Sequence, residues 1–280
     1  MSGKKREQEE MDLPVEGEEE ERPQDEDPAD PPVELAEDLS RHASSEEDAV
    51  PVRAGSGSGT HAGSGGEPGV EEGADDPLQA GLHRARALVG EGRVREAIEL
   101  YRSLTKAFPE SVKAKNNLGV LFDETGAHEM ALEQFQGARD LDPENVDVLS
   151  NLGACLGAVN RFEAAERELR KALRLQPERV DVRANLGVLF YRRGLYAEAE
   201  HELRWVCSRD SSHGPAHLYR GEALNRLGRV DDALEMLKRA SHLQPENPRP
   251  YYVMGILYDR KHLPQEAGEM YRKARELSTR

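Results

Sequence analysis

Cys207, His213 and His217, spaced Cys-x5-His-x3-His, come nearest in this chain to a metal-binding set. A thiolate and two imidazoles suit zinc, and histidines four apart on one helix share a face. Gly214-Pro215 falls between the two histidines and breaks such a helix. The expectation is turn residues beside a buried thiol, with no metal and no cofactor. Cys155 likewise reads as core, since a free thiol behaves as a small apolar group. The sequence has no phosphate-cradling loop ending Gly-Lys-Ser/Thr, no Gly-x-Ser-x-Gly elbow and no paired-cysteine metal motif. Its densest carboxylate run, EGEEEE, lies in a stretch without fixed geometry and cannot act as an acid–base pair. The chain reads as a non-enzyme.

Two rows of polar residues remain. Asn117, Asn151 and Asn185 stand 34 residues apart, and so do Arg192, Arg226 and Arg260. An asparagine amide offers a donor and an acceptor, which suits it to hold an extended peptide backbone while leaving side-chain identity open. Asparagine is a mediocre helix former, so three in register suggest work for the side chain. A row of guanidinium groups favours carboxylates through charge-assisted, bidentate contacts. Plainer readings stand beside both. The asparagines can be inherited repeat composition, and basic residues near a helix end also favour the helix dipole.

The elements that must carry these rows follow from the interval itself. At 34 residues the chain lays out as six units, starting at Leu78, Val112, Val146, Val180, Gly214 and Pro248. The eighth position holds Ala85, Gly119, Gly153, Gly187, Gly221 and Gly255, and the twentieth holds alanine in all six units. Glycine inside a helix costs about 1 kcal/mol relative to alanine, and close approach of two helices compensates it. Small residues at positions 8 and 20 therefore let the first helix of a unit press against its second. Position 15 holds Gly92, Gly126, Asn160, Gly194 and Gly228, residues that tolerate the left-handed conformation ending a helix. Position 32 holds Pro109, Pro143, Pro177 and Pro245, which stop the second helix. Asp76-Pro77 marks the start as an N-cap followed by proline at the first helical position. Apolar residues recur at spacings of three and four, without sustained alternation, so no sheet is expected. Positions 2, 6, 9 and 13 share one face of the first helix, which places both rows there.

Leu-Gly at positions 7 and 8, Phe or Leu at 11, Ala at 20, an apolar or aromatic residue at 24 and Pro at 32 resemble the tetratricopeptide repeat (TPR) family. The resemblance covers roughly 78–278. It implies an all-α, right-handed superhelical solenoid of six TPR helical hairpins, whose first helices line a concave groove. Departures are local: Gly81 and Arg84 in unit one, the proline-free SRDSSH ending unit four, and His262 with Pro264 in the turn of unit six. The asparagine row is similar to the asparagine ladder in the TPR arm of the O-linked N-acetylglucosamine transferases. The clamp of TPR co-chaperones, Lys at position 5 and Asn at position 9, has no counterpart, since position 5 holds no Lys and position 9 no Asn.

Charge divides the chain in two. Residues 1–77 hold 24 acidic against 6 basic residues and no aromatic side chain, whereas the remainder balances at +2 of the total −16. The first part cannot bury enough apolar surface to offset its ordering entropy, and it reads as a disordered acidic tail with a Gly/Ser-rich spacer. Residues 78–280 form the expected TPR domain. An acidic tail disfavours nucleic acid and anionic membranes. No segment has the roughly 18 apolar residues of a membrane span, and two cysteines fit a reducing cytoplasm. The expected function is a scaffold whose groove binds an extended peptide or protein segment. The alternative is a regulatory or targeting subunit of a glycosyltransferase or other enzyme. Gly268 and Arg275 make the last helix polar enough to cap the array, so a monomer is expected. The tail is expected to serve either as a solubilising bristle or, through PPVELAEDLSRH, as an intramolecular competitor for the groove.

Overall fold

A computed structural model describes residues 76–279; the expected acidic tail, save its last residues Asp76 and Pro77, lies outside them. Twelve helices, each of 12 to 15 residues, make up the described chain. They pair into six hairpins: α1 (Pro77–Gly90) with α2 (Val94–Ala107), α3 (Val112–Glu124) with α4 (His128–Leu141), and α5 (Val146–Ala158) with α6 (Phe162–Leu175). The series continues with α7 (Val180–Arg192) and α8 (Tyr196–Arg209), α9 (Gly214–Arg226) and α10 (Val230–Leu243), and α11 (Arg249–Arg260) and α12 (Pro264–Ser278). Several first helices open on a side-chain cap, which satisfies a backbone N–H that has no partner within the helix. Asp76 accepts from the N–H of Leu78, Ser111 from Ala114 and Asn145 from Val148. None of the described helices is long and apolar enough to cross a membrane.

The turn inside each hairpin needs one residue in the left-handed region. Gly92, Gly126, Gly194 and Gly228 supply it with φ of 73° to 81°, and Asn160 with φ of 60°. His262 occupies the same place in unit six with φ of 57°, so that unit keeps the common turn on a residue for which it is strained. The second helices of units one to five end at position 30, two residues before the place of the prolines. α8 stops there too, at Arg209, without a proline. Asp210 closes that turn by accepting from the backbone N–H of Ser212 at 2.9 Å and from its hydroxyl at 2.6 Å.

The glycines at position 8 make room mainly for the side chain at position 24, rather than for the alanine at position 20. A Cβ placed on Gly153 would lie 2.6 Å from Leu169 Cγ, and one on Gly119 would lie 2.7 Å from the Phe135 ring. The alanine contributes backbone: the carbonyl of Ala165 comes 3.3 Å from the same imagined Cβ. In unit one the close approach moves to Gly81, against Leu104. Each second helix packs on its own first helix and on the first helix of the next unit, and the first helices of units two to six also touch in succession. Closer packing among first helices curves the array toward them, which puts their free faces on the inside.

Candidate functional site

On that inner face two of the three asparagines, Asn151 and Asn185, share one geometry. Asn151 Nδ2 donates to Asn116 Oδ1 at 3.0 Å, and Asn185 Nδ2 donates to Ser150 Oγ at 3.0 Å. In both cases position 6 of one unit reaches position 5 of the unit before it, 35 residues back. Asn117 has Leu82 at that place and instead donates to the hydroxyl of Tyr101 on α2, at 3.2 Å. The amide nitrogens are therefore committed to bonds between helices. The three carbonyl oxygens accept no hydrogen bond among those described and are not sealed from solvent. Each asparagine fastens a unit to its neighbour.

The arginine row lies two turns further along the first helices, about 10 Å away at 1.5 Å per residue, and one of its members repeats this register. Arg260 Nη1 donates to Asn225 Oδ1 at 2.7 Å, again 35 residues back. Arg226 is exposed at the end of α9, and Arg192, which takes part in an interaction, is half-buried at the end of α7. The two rows overlap only on α7, which carries both Asn185 and Arg192. They make a diagonal track, amides on units two to four and guanidinium groups on units four to six.

Beyond unit four the groove changes chemistry in a way the repeat pattern did not disclose. Tyr219 replaces asparagine at position 6, and its ring meets Tyr191 edge-on at 5.4 Å; Tyr196 lies 5.8 Å from Tyr191. Burial, followed by the charge of Glu222, pushes the Tyr191 hydroxyl well above its ordinary titration range. Arg249 at position 2 of unit six forms a fork with buried Glu222, at 2.7 and 2.8 Å, while its guanidinium lies 5.0 Å over Tyr219. These residues belong to different units. The signal available in sequence was the coincidence of non-consensus Tyr, Glu and Arg at positions already assigned to one face.

Cys207, His213 and His217 do not assemble a site. Gly214-Pro215 opens α9 instead of breaking it, since proline is tolerated in a first helical turn. His213 is the N-cap, its Nδ1 accepting from Ala216 N at 3.0 Å, and His217 lies inside the helix with Nε2 donating to the carbonyl of Ser211 at 3.2 Å. Burial pushes both imidazoles below their ordinary value, and it pushes the Cys207 thiol up. A separate cleft on the outer side, between second helices, is lined with charge that is in part paired internally. Arg139 meets Glu168 at 3.4 Å, and Glu166 meets Arg170 at 2.8 Å and Arg193 at 2.7 Å.

The tetratricopeptide repeat family model matches residues 82–146, 156–215, 199–248 and 218–279. No curated protein matches the chain. Among solved structures, a tetratricopeptide repeat protein from Parabacteroides merdae is 19% identical, with a TM-score of 0.61 over 72% of this chain and 80% of its own. PilW, a type IV pilus biogenesis factor, is 18% identical with a TM-score of 0.65, covering 70% of this chain and 91% of its own. Pseudomonas aeruginosa pilF is 22% identical with a TM-score of 0.60, covering 69% and 88%. At these identities the likeness establishes the solenoid fold.

Proposed function

The chain belongs to the tetratricopeptide repeat family, and from that premise we propose that it is a non-enzymatic module whose groove holds an extended, acidic segment of a partner protein. Proteins of this family mediate protein–protein interaction. The observation that supports the finer reading is the asparagine row, whose amides tie the units together and whose three carbonyl oxygens accept none of the described hydrogen bonds. Acceptors at a constant interval suit the N–H groups of an extended chain, which exist whatever the side chains are. Preference for acidic segments comes from the other end of the track, where Arg226 and Arg260 stand exposed. Both free cysteines are buried, which fits a reducing cytoplasm, and the polar last helix fits a monomer.

The test starts with full-length protein on an array of acidic, neutral and basic peptides, followed by affinities for the best binder. Replacing Asn117, Asn151 and Asn185 together by alanine is expected to weaken binding at least tenfold, which is about 1.4 kcal/mol. It also removes inter-helix bonds worth about 0.5–1.5 kcal/mol each, so the melting temperature falls as well. Asn116→Ala with Ser150→Ala is the control, because it breaks two of the same bonds and leaves the groove asparagines in place. Retained binding in the control and lost binding in the triple variant support the reading. Equal loss in both, or no preference for acidic peptides, contradicts it.

A further inference from the structure

A carboxylate, an imidazole and a thiol meet where units two and three join. Asp123 near the end of α3, His128 at the start of α4 and Cys155 in α5 bring one ligand-type atom each within 4.8 Å of one another. Asp123 Oδ1 lies 2.9 Å from His128 Nδ1, and Cys155 Sγ lies 3.7 Å from the backbone oxygen of His128. Asp123 is 4% exposed and Cys155 is fully buried. A buried carboxylate is stable when paired with a cation or bound to a metal. Among the described residues the ion-pair partner of Asp123 is His128, and an imidazole brings a full positive charge only when both nitrogens carry protons. The position therefore gathers a carboxylate, an imidazole and a thiol, with no lysine or arginine ion-paired to Asp123 among the described residues.

We propose that Asp123, His128 and Cys155 bind one zinc ion between units two and three. The donor set selects the metal: a thiolate disfavours magnesium and calcium, and one oxygen, one nitrogen and one sulfur suit tetrahedral zinc. Zinc bonds of about 2.0–2.3 Å place tetrahedral ligand atoms about 3.3–3.6 Å apart, so the trio needs only small movements. His128 coordinates through Nδ1, which keeps Nε2–H for its exposed edge, and its side chain is 28% exposed, which leaves a route for exchange. Water takes the fourth position. On binding, the thiol proton leaves to solvent, a Zn–S bond forms and no oxidation state changes. The ion ties α3, α4 and α5 together directly behind the units that carry Asn117 and Asn151. It is thus placed to stiffen the first part of the groove.

Cobalt(II), which takes the same geometry and is coloured, is the probe for the full-length chain, with zinc as the competitor. One equivalent is expected to give a thiolate-to-metal charge-transfer band in the near ultraviolet, and zinc is expected to displace it. Cys155→Ala and His128→Ala should abolish the band, whereas Cys207→Ala should leave it unchanged. Circular dichroism checks that each variant is folded. Should Cys155→Ala unfold, Asp123→Asn, which keeps the side-chain shape, takes its place and is expected to lower the band and weaken zinc binding at least tenfold. The proposal is overturned by the absence of a band in the unaltered chain, by a band that survives Cys155→Ala or Asp123→Asn, or by one lost in Cys207→Ala. Binding to acidic-tail carboxylates alone would give no thiolate band and so counts against it.

Discussion

Asn185 and Ser150 illustrate what a residue type can and cannot announce. Three asparagines at one interval were legible as a row, because asparagine is an unusual choice inside a helix. Their partners were not legible, since the pairing of position 6 with position 5 of the preceding unit depends on how adjacent first helices align. Tyr101, which takes the place of that partner for Asn117, lies 16 residues away on another helix and carries no mark of the role. His213 was read as a turn residue, and it is one, but its cap bond adds a dependence on pH. Burial holds its imidazole neutral, and Nδ1 must stay unprotonated to accept from Ala216. The folded chain therefore binds this proton more weakly than the unfolded chain. As pH falls below the ordinary imidazole value of 6.5 the unfolded state takes up more protons and stability declines. His217, also held neutral by burial, adds to the same slope. Replacing His213 by Asn, another good cap, is expected to flatten the melting temperature against pH in that window. An unchanged slope in His213→Asn would remove the histidine from the account.

Helices were the most legible level. Repeated glycine, alanine and proline positions marked hairpins, turns and ends before any packing was known. Less visible was which atoms the glycine at position 8 accommodates, because both position 20 and position 24 face the first helix. The structure assigns the contact to position 24, and so Gly153→Val is expected to drive a side chain into Leu169. Overpacking of this kind costs about 1–3 kcal/mol, measurable as a lowered urea midpoint. Combining it with Leu169→Ala should recover part of the loss, since the two changes share one space. The turn of unit six offers the opposite sign. His262 carries φ of 57° where four other units have glycine, and the left-handed conformation costs a residue with a Cβ about 1–2 kcal/mol. His262→Gly is expected to stabilise the chain by up to about 1 kcal/mol, after the added freedom of glycine in the unfolded state. A destabilised variant would mean that His262 makes a contribution beyond its backbone.

At the scale of the array, the apolar core divides at α9. One buried cluster runs from Leu82 to Ala223, and a smaller one joins Leu218 and Leu224 to residues of α10 and α11. Buried polar groups gather near the division, among them Glu200 with Arg220 at 3.1 Å, Glu222 with Arg249, and His217. Stability in a repeat array is a sum of units and neighbouring interfaces, so amides of α10 to α12 should exchange at lower denaturant than those of α3 to α7. Uniform exchange across both groups would show one cooperative core instead. The division leaves Tyr191, Tyr196 and Tyr219 with the larger core and puts Arg260 on α11, which belongs to the smaller one. What the array does with its groove is decided most directly by charge reversal on its two sides. The affinity of the best acidic peptide is measured for the unaltered chain, for Arg226→Glu inside the groove and for Arg174→Glu beside the outer cleft, each variant changing net charge equally. The account predicts about a tenfold loss for Arg226→Glu, within about twofold of the unaltered value for Arg174→Glu. Equal losses in the two variants would mean that overall charge, and not the groove, captures the peptide.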